Sequence, residues 1–226
     1  MDLLFWSLFR SSMNHRTRVK ICGITATVAA ECAIDAGADA LGLVFYESSP
    51  RNLSIESAAE IAAIAHPFVS LVGLFVDTEE AEIQQILDQI PLQVLQFHGS
   101  ESPEFCGSFG LPYIKALRVK EGTDISAIAS SYSGAQAILL DAYKENVPGG
   151  TGESFNWDLV PELDQHVILA GGLNSENIGH AISKVNPYAV DTSGGVESAP
   201  GVKDPARIRA FISQVIQADF NLNARS

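Results

Sequence analysis

Apolar residues in this chain come in short runs, separated by polar turns and by stretches with a helical rhythm. Runs rich in Val, Ile, Leu and Phe cover 19–24, 40–45, 69–76, 93–97, 113–119, 137–140, 167–170 and 189–190. Their composition and length predict strands. Between them the spacing predicts helices over 27–36, 55–65, 79–90, 103–109, 125–132, 157–163, 177–185 and 205–217. Several strands are almost unbroken hydrophobic runs, as parallel strands covered on both faces should be. Eight consecutive βα units, each long enough for a right-handed crossover, predict one closed parallel eight-stranded barrel with outer helices, a (βα)8 or TIM barrel. An open doubly wound sheet is disfavoured, because no G-x-G-x-x-G follows the first strand.

In such a barrel, chemistry sits where each strand ends and its βα loop begins. The first strand reads V-K-I-C-G-I-T. Side chains alternate along a strand, so Lys20 and Cys22 share one face while Val19 and Ile21 share the other. With the apolar pair packed on the helices, Cys22 points inward near the barrel mouth. It is either a small buried hydrophobe or a functional thiol. The sixth strand, A-I-L-L-D-A-Y, ends in Asp141, an acid costly to bury behind four apolar residues. A glycine-rich loop, V-P-G-G-T-G, follows it, which argues against a helix-cap role.

The last two strands end in A-G-G-L-N and V-D-T-S-G-G-V-E. Glycine pairs there suit a phosphate cradle, since backbone N–H groups without a neighbouring Cβ can approach the oxygens closely. Gly171, Gly172, Ser193 and Gly194 are placed in that cradle, with simple tight turns as the other reading. Asp191, at the end of the eighth strand, is grouped with the substrate-binding residues. Arg51, in Y-E-S-S-P-R-N-L-S after the second strand, is either a solvated arginine or a two-pronged partner for a carboxylate. His98, in Q-F-H-G-S-E, is a polar wall, a substrate contact or a self-satisfied histidine.

Charge narrows the partners. The chain has 14 Lys plus Arg against 27 Asp plus Glu, a formal net charge of −13. Nucleic acid and anionic membrane are therefore excluded as bulk partners, and an anionic small substrate would need a local pocket of donors. No apolar run is long enough to span a bilayer. The three cysteines, Cys22, Cys32 and Cys106, are far apart and lack metal-ligand spacing, so neither disulfides nor a metal site is expected and a reducing cytoplasm is. The first residues, M-D-L-L-F-W-S-L-F-R, make a poor signal peptide, and a second Met stands at position 13. Residues 1–18 are expected to be an extension, flexible or a start-site artefact, and 19–226 the barrel.

Read in order, V-K-I-C-G-I-T, F-Y-E-S-S-P-R-N-L-S, L-V-G-L-F-V-D, L-Q-F-H-G-S-E, L-L-D-A-Y with P-G-G-T-G-E-S-F-N-W, I-L-A-G-G-L-N-S-E-N-I and D-T-S-G-G-V-E-S-A-P-G-V-K-D resemble the successive signatures of the phosphoribosylanthranilate isomerases. The resemblance runs from Val19 past Asp204. It implies an Amadori rearrangement of a phosphorylated sugar in tryptophan biosynthesis, without metal or organic cofactor; the partner expected is a small phosphorylated substrate, in a monomer or homodimer. By motif match it makes Cys22 the general base, Asp141 the general acid and Arg51 the holder of the anthranilate carboxylate. The glycines and serine after the last two strands would hold the phosphate. One place departs: the family commonly has D-V-S-S-G-V-E, whereas here Thr192 replaces Val and Gly194 replaces the second Ser. One hydroxyl is lost there, and the backbone donors remain.

Two other readings compete. The sister isomerase of histidine biosynthesis looks for a carboxylate at the end of the first strand, where this chain has Cys22. An inactive phosphate-ester-binding barrel should have lost the acid or the base, and both are present.

Overall fold

The computed structural model describes residues 16–142 and 156–224. Eight parallel strands close into a barrel in the order β1 to β8, with β1 paired to β8. They are β1 (Arg18–Cys22), β2 (Ala40–Phe45), β3 (Ser70–Phe75), β4 (Val94–Phe97), β5 (Tyr113–Val119), β6 (Ala137–Ala142), β7 (His166–Leu169) and β8 (Ala189–Thr192). The helices are α1 (Thr27–Ala36), α2 (Ile55–Ile64), α3 (Glu80–Leu87), α4 (Pro103–Gly107), α5 (Ile125–Ser131), α6 (Ile178–Val185) and α7 (Pro205–Asn223). None of these helices is long and apolar enough to cross a membrane.

Local chemistry sets the boundaries. Gly23, at φ 72°, ends β1 two residues earlier than the apolar run suggests, because only glycine enters that backbone region freely. Ser54, Ser102 and Asp204 cap α2, α4 and α7 by accepting from backbone N–H groups of their first turns, and Pro103 and Pro205 occupy first-turn positions where no N–H is missed. The helix expected over 157–163 is corrected to a single 3-10 turn, Trp157–Leu159. Pro161 explains the difference, since it pushes the preceding residue out of the helical region; Val160 is extended, at ψ 111°. A hairpin the hydrophobic pattern did not predict, β9 (Glu197–Ala199) with β10 (Val202–Lys203), follows β8.

Strand alternation splits the apolar residues into two cores. Ile21, Leu41, Leu43, Phe75, Phe97, Ile138 and Leu140 face outward into the shell beneath the helices. Val72, Ile114, Ala116, Leu139, Ile168 and Ala189 fill the barrel interior. Above them Cys22, Val44 and Leu74 form a third small cluster toward the mouth. The barrel begins slightly before Val19: Arg18 is already in β1, and Thr17 is buried, its N–H and hydroxyl both donating to Asp219 of α7 (2.7 and 2.6 Å). Residues 1–15 of the expected extension and the loop 147–152 lie outside the described residues.

Candidate active site

The same alternation that faces Val72 and Leu139 inward brings the polar strand ends together. Cys22, Arg51, His98, Asp141, Gly171, Gly172, Asp191, Ser193 and Gly194 all line one cavity at the carboxyl ends of the strands. Cys22 and Asp141 are both buried, 5% exposed each. They belong to β1 and β6, which β7 and β8 separate, so they meet the cavity from different sides.

Cys22 sits in a charged but compensated environment. Below it, Lys20 donates to Asp191 across 2.8 Å, and both side chains are buried. Burial pushes the Cys22 thiol above its ordinary range; the charge of Lys20 pulls it back, and Asp191 opposes that pull. The same burial disfavours the Lys20 ammonium, yet Asp191, with Cys22 beside it, more than compensates and leaves it raised. Space for the thiol is made by Gly42 on the next strand, where a Cβ would come 2.8 Å from Sγ.

Asp141 faces His98, whose Nε2 is 3.2 Å from Oδ2. The distance suits a hydrogen bond, but the alignment does not, and Nε2 remains buried without a partner among the described residues. Behind the ring, Gln96 Nε2 lies 3.3 Å from His98 Nδ1, while Gln96 Oε1 is also buried and unpartnered. Buried polar atoms are nearly always satisfied, so these two at the cavity wall stand out as unmet hydrogen-bonding capacity.

The two glycine loops expected to cradle phosphate are built by close approach to their neighbours. Gly171 and Gly172 have φ 79° and 67°. A Cβ on Gly171 would lie 2.3 Å from the Ala142 nitrogen, and one on Gly195 would lie 1.9 Å from the Leu173 oxygen. Neither position admits a side chain. The departing residue Thr192 uses its hydroxyl to donate to Leu173 O (2.7 Å), tying the two loops together. No full helix opens at Gly194; the chain there makes one 3-10 turn, Gly194–Val196.

Arg51 is paired inside the protein. Its two-pronged bond is made within the protein: Nε and Nη2 donate to Glu197 Oε1 and Oε2 at 2.7 and 2.8 Å. That edge of the guanidinium is occupied, and the residue also lines the cavity. Glu197 also accepts from Lys203 Nζ at 2.7 Å. Burial raises the Glu197 carboxyl, but the Arg51 bonds and the Lys203 charge outweigh it and hold the carboxyl below the usual range. Burial lowers the Lys203 ammonium, and Glu197 only partly restores it.

Lys20, Gln96, Arg118, Glu197 and Lys203 were not among the site residues expected from sequence, although Lys20 was read as inward-facing. Gln96 and Arg118 were legible in principle, since each shares the inward parity of its strand and lines the cavity. Glu197 and Lys203 flank the turn signal A-P-G, which points to a hairpin but says nothing of ion pairing.

A family model described as N-(5'-phosphoribosyl)anthranilate isomerase matches residues 19–214. The chain is 56% identical over 199 residues to the N-(5'-phosphoribosyl)anthranilate isomerase of Pseudomonas fluorescens, covering 88% of this chain and 95% of that one. It is 55% identical over 201 residues to that of Nitrosococcus oceani, covering 88% and 98%. Among solved structures, phosphoribosyl anthranilate isomerase from Thermotoga maritima superposes with a TM-score of 0.83 at 40% identity, over 89% of this chain and 99% of that one. A second isomerase structure, in complex with reduced 1-(o-carboxyphenylamino)-1-deoxyribulose 5-phosphate, superposes with a TM-score of 0.77 at 37% identity, over 89% and 99%.

Proposed function

The chain belongs to the N-(5'-phosphoribosyl)anthranilate isomerase family, and we propose that it performs the family's Amadori rearrangement in tryptophan biosynthesis with Cys22 as general base and Asp141 as general acid. The observation that carries this reading is a buried thiol and a buried carboxyl group lining one cavity from separated strands, beside two interlocked glycine loops.

The substrate, N-(5-phosphoribosyl)anthranilate, carries a phosphate at one end and a carboxylate at the other. Gly171, Gly172, Ser193 and Gly194 receive the phosphate through backbone donors and the serine hydroxyl. Arg51, braced by Glu197, offers its free donors to the anthranilate carboxylate. Asp141 gives a proton to the furanose oxygen as the anilino nitrogen pushes the C1–O bond open to a Schiff base. Cys22 then takes the proton from C2; the C2–H electrons form a C1=C2 double bond while the C1=N π pair returns to the anilino nitrogen, giving an enolamine. The thiol returns that proton to C1 while Asp141 accepts the one from the C2 hydroxyl, giving the ketose and restoring both groups. His98 and Gln96, with their unpartnered buried atoms, suit contacts to sugar hydroxyls. The three cysteines are free thiols, in keeping with the cytoplasmic setting we assign. The ligand is a small phosphorylated molecule, and one solved isomerase, from Thermotoga maritima, is described as dimeric.

The test of the assignment is direct. Freshly prepared phosphoribosylanthranilate mixed with the protein should lose anthranilate fluorescence while the product keeps the substrate's mass. Persistent fluorescence, or release of free anthranilate, would remove the assignment.

Arg51→Ala is expected to raise KM strongly and to change kcat much less. An unchanged KM with a collapsed kcat would move Arg51 into the chemistry. Acidity gives a further expectation. The base works deprotonated, and burial raises the Cys22 thiol, so its working fraction grows as pH rises. The ascending limb of kcat/KM should therefore lie above the ordinary thiol range of about 8.5. Lys20→Met removes the main opposing charge and should move that limb further to the alkaline side; a shift toward acid would contradict this account of the thiol.

A further inference from the structure

Glu197 and Lys203 stand outside the proposed chemistry, yet they are among the most thoroughly buried charges in the molecule, with side chains 5% and 0% exposed. Glu197 holds Arg51 by both carboxylate oxygens and Lys203 by one of them. Lys203 Nζ also donates to the Ser193 carbonyl oxygen at 3.1 Å and to Ser193 Oγ at 3.2 Å. One unbroken chain of charged hydrogen bonds therefore joins the arginine on the β2 loop to the serine on the β8 loop. The hairpin that carries both residues is seated against the Arg51 loop: a Cβ on Gly201 would come 2.4 Å from Pro50 O. The base of the hairpin is fixed by Arg207 Nη1, which donates to the Glu197 carbonyl, and by Asp204 N–H, which donates to Val196 O at 2.8 Å.

The Lys203 contact has a directional consequence. In a trans peptide the N–H points opposite to the C=O. Drawing the Ser193 carbonyl toward Lys203 turns the Gly194 N–H the other way, and Gly194 lines the cavity. Lys203 also leaves the Ser193 hydroxyl proton free to donate, because Oγ is the acceptor in their contact.

We propose that Glu197 and Lys203 are positioning residues: together they brace Arg51 and orient the Ser193–Gly194 peptide, so that the two anionic ends of the substrate are received by one rigid unit. This rests on the isomerase reading for the identity of the substrate, although the phosphate half does not need it. The brace fixes donors before the ligand arrives and so lowers the ordering cost of binding. It makes an unusual demand on sign. Removing the Glu197 charge should strengthen binding of an anion if Coulomb attraction alone decided the matter. A brace predicts weaker binding.

The experiment measures affinity for inorganic phosphate by calorimetry, with kcat and KM alongside, in the wild type, Glu197→Gln, Lys203→Met and Lys203→Arg. Thermal melts establish the folded fraction of each. Lys203→Met should weaken phosphate binding by about tenfold, the usual scale for losing a charged hydrogen bond. KM should rise in step and kcat should stay within about threefold. Glu197→Gln should weaken phosphate binding in the same direction, and Lys203→Arg should recover much of what Lys203→Met loses. A merely structural ion pair would lower the melting temperature and leave the folded protein's phosphate affinity alone. Unchanged or tighter phosphate binding in Glu197→Gln overturns the proposal, as does wild-type affinity in Lys203→Met. If the Met variant does not fold, Glu197→Gln and Lys203→Arg decide the matter by the same criteria. A wild type that binds phosphate but does not convert phosphoribosylanthranilate would defeat the isomerase reading while leaving the brace to be judged on phosphate alone.

Discussion

Asp141→Asn is expected to lower kcat by about two to four orders of magnitude, the usual contribution of a positioned general acid. The substitution keeps the shape of the side chain and removes its transferable proton. Asp141 is buried in β6 at the cavity wall, with His98 its nearest described ionic neighbour. An amide can occupy that site with little disturbance, its oxygen taking the place of Oδ2 opposite His98 Nε2. The folded fraction and melting temperature should therefore stay close to the wild type, and KM should move little. Ring opening needs a proton on the furanose oxygen, and nothing in an asparagine supplies one. Near-normal turnover in a folded Asn variant would remove Asp141 from the mechanism.

Cys22→Ser is expected to be comparably damaging, and for a separate reason. A serine hydroxyl in the same pocket is a far weaker base precursor than a thiol, because its proton is harder to lose at any pH the protein survives. The environment adds to the difficulty: burial already opposes charge on Cys22, and only Lys20 and, more weakly, Lys203 act against it. The change removes little volume beside Gly42, so packing in the small cluster with Val44 and Leu74 should survive. Steady-state rates measured with folded Ser variant should fall by about 10²-fold or more. A variant turning over at the wild-type rate would leave the thiol as a buried hydrophobe.

The placement of these two residues at one cavity was readable in the sequence because strand parity and strand position are local properties. Val19 and Ile21 fix which way Cys22 points, and the run before Asp141 does the same for the acid. The glycine pairs were readable too, since close approach leaves few alternatives to glycine. Other features depend on what lies opposite in space. Arg51 read either as solvated or as a two-pronged partner for a carboxylate, and local sequence cannot name the carboxylate it meets, which stands 146 residues further along. Glu197 and Lys203 were seen as part of a loop signature, and nothing in their spacing indicates that both side chains turn inward. The helix expected after the sixth strand shows a limit of another kind, where one proline outweighed a plausible hydrophobic rhythm.

Legibility also differed between the two glycine loops. The role of Thr192 as a tether to Leu173 has no signature of its own, because any β-branched residue would read the same way in a short strand. Its hydroxyl matters only because Leu173 O approaches from the neighbouring loop.

One measurement addresses the central claim without intermediaries. Excess protein is mixed rapidly with freshly made phosphoribosylanthranilate, and fluorescence is followed through a single turnover for the wild type, Cys22→Ser and Asp141→Asn. All three should show the early change that reports binding, and only the wild type should go on promptly to full loss of the anthranilate signal. A second phase as fast as the wild type's in either variant would contradict the pairing of this thiol with this carboxyl group.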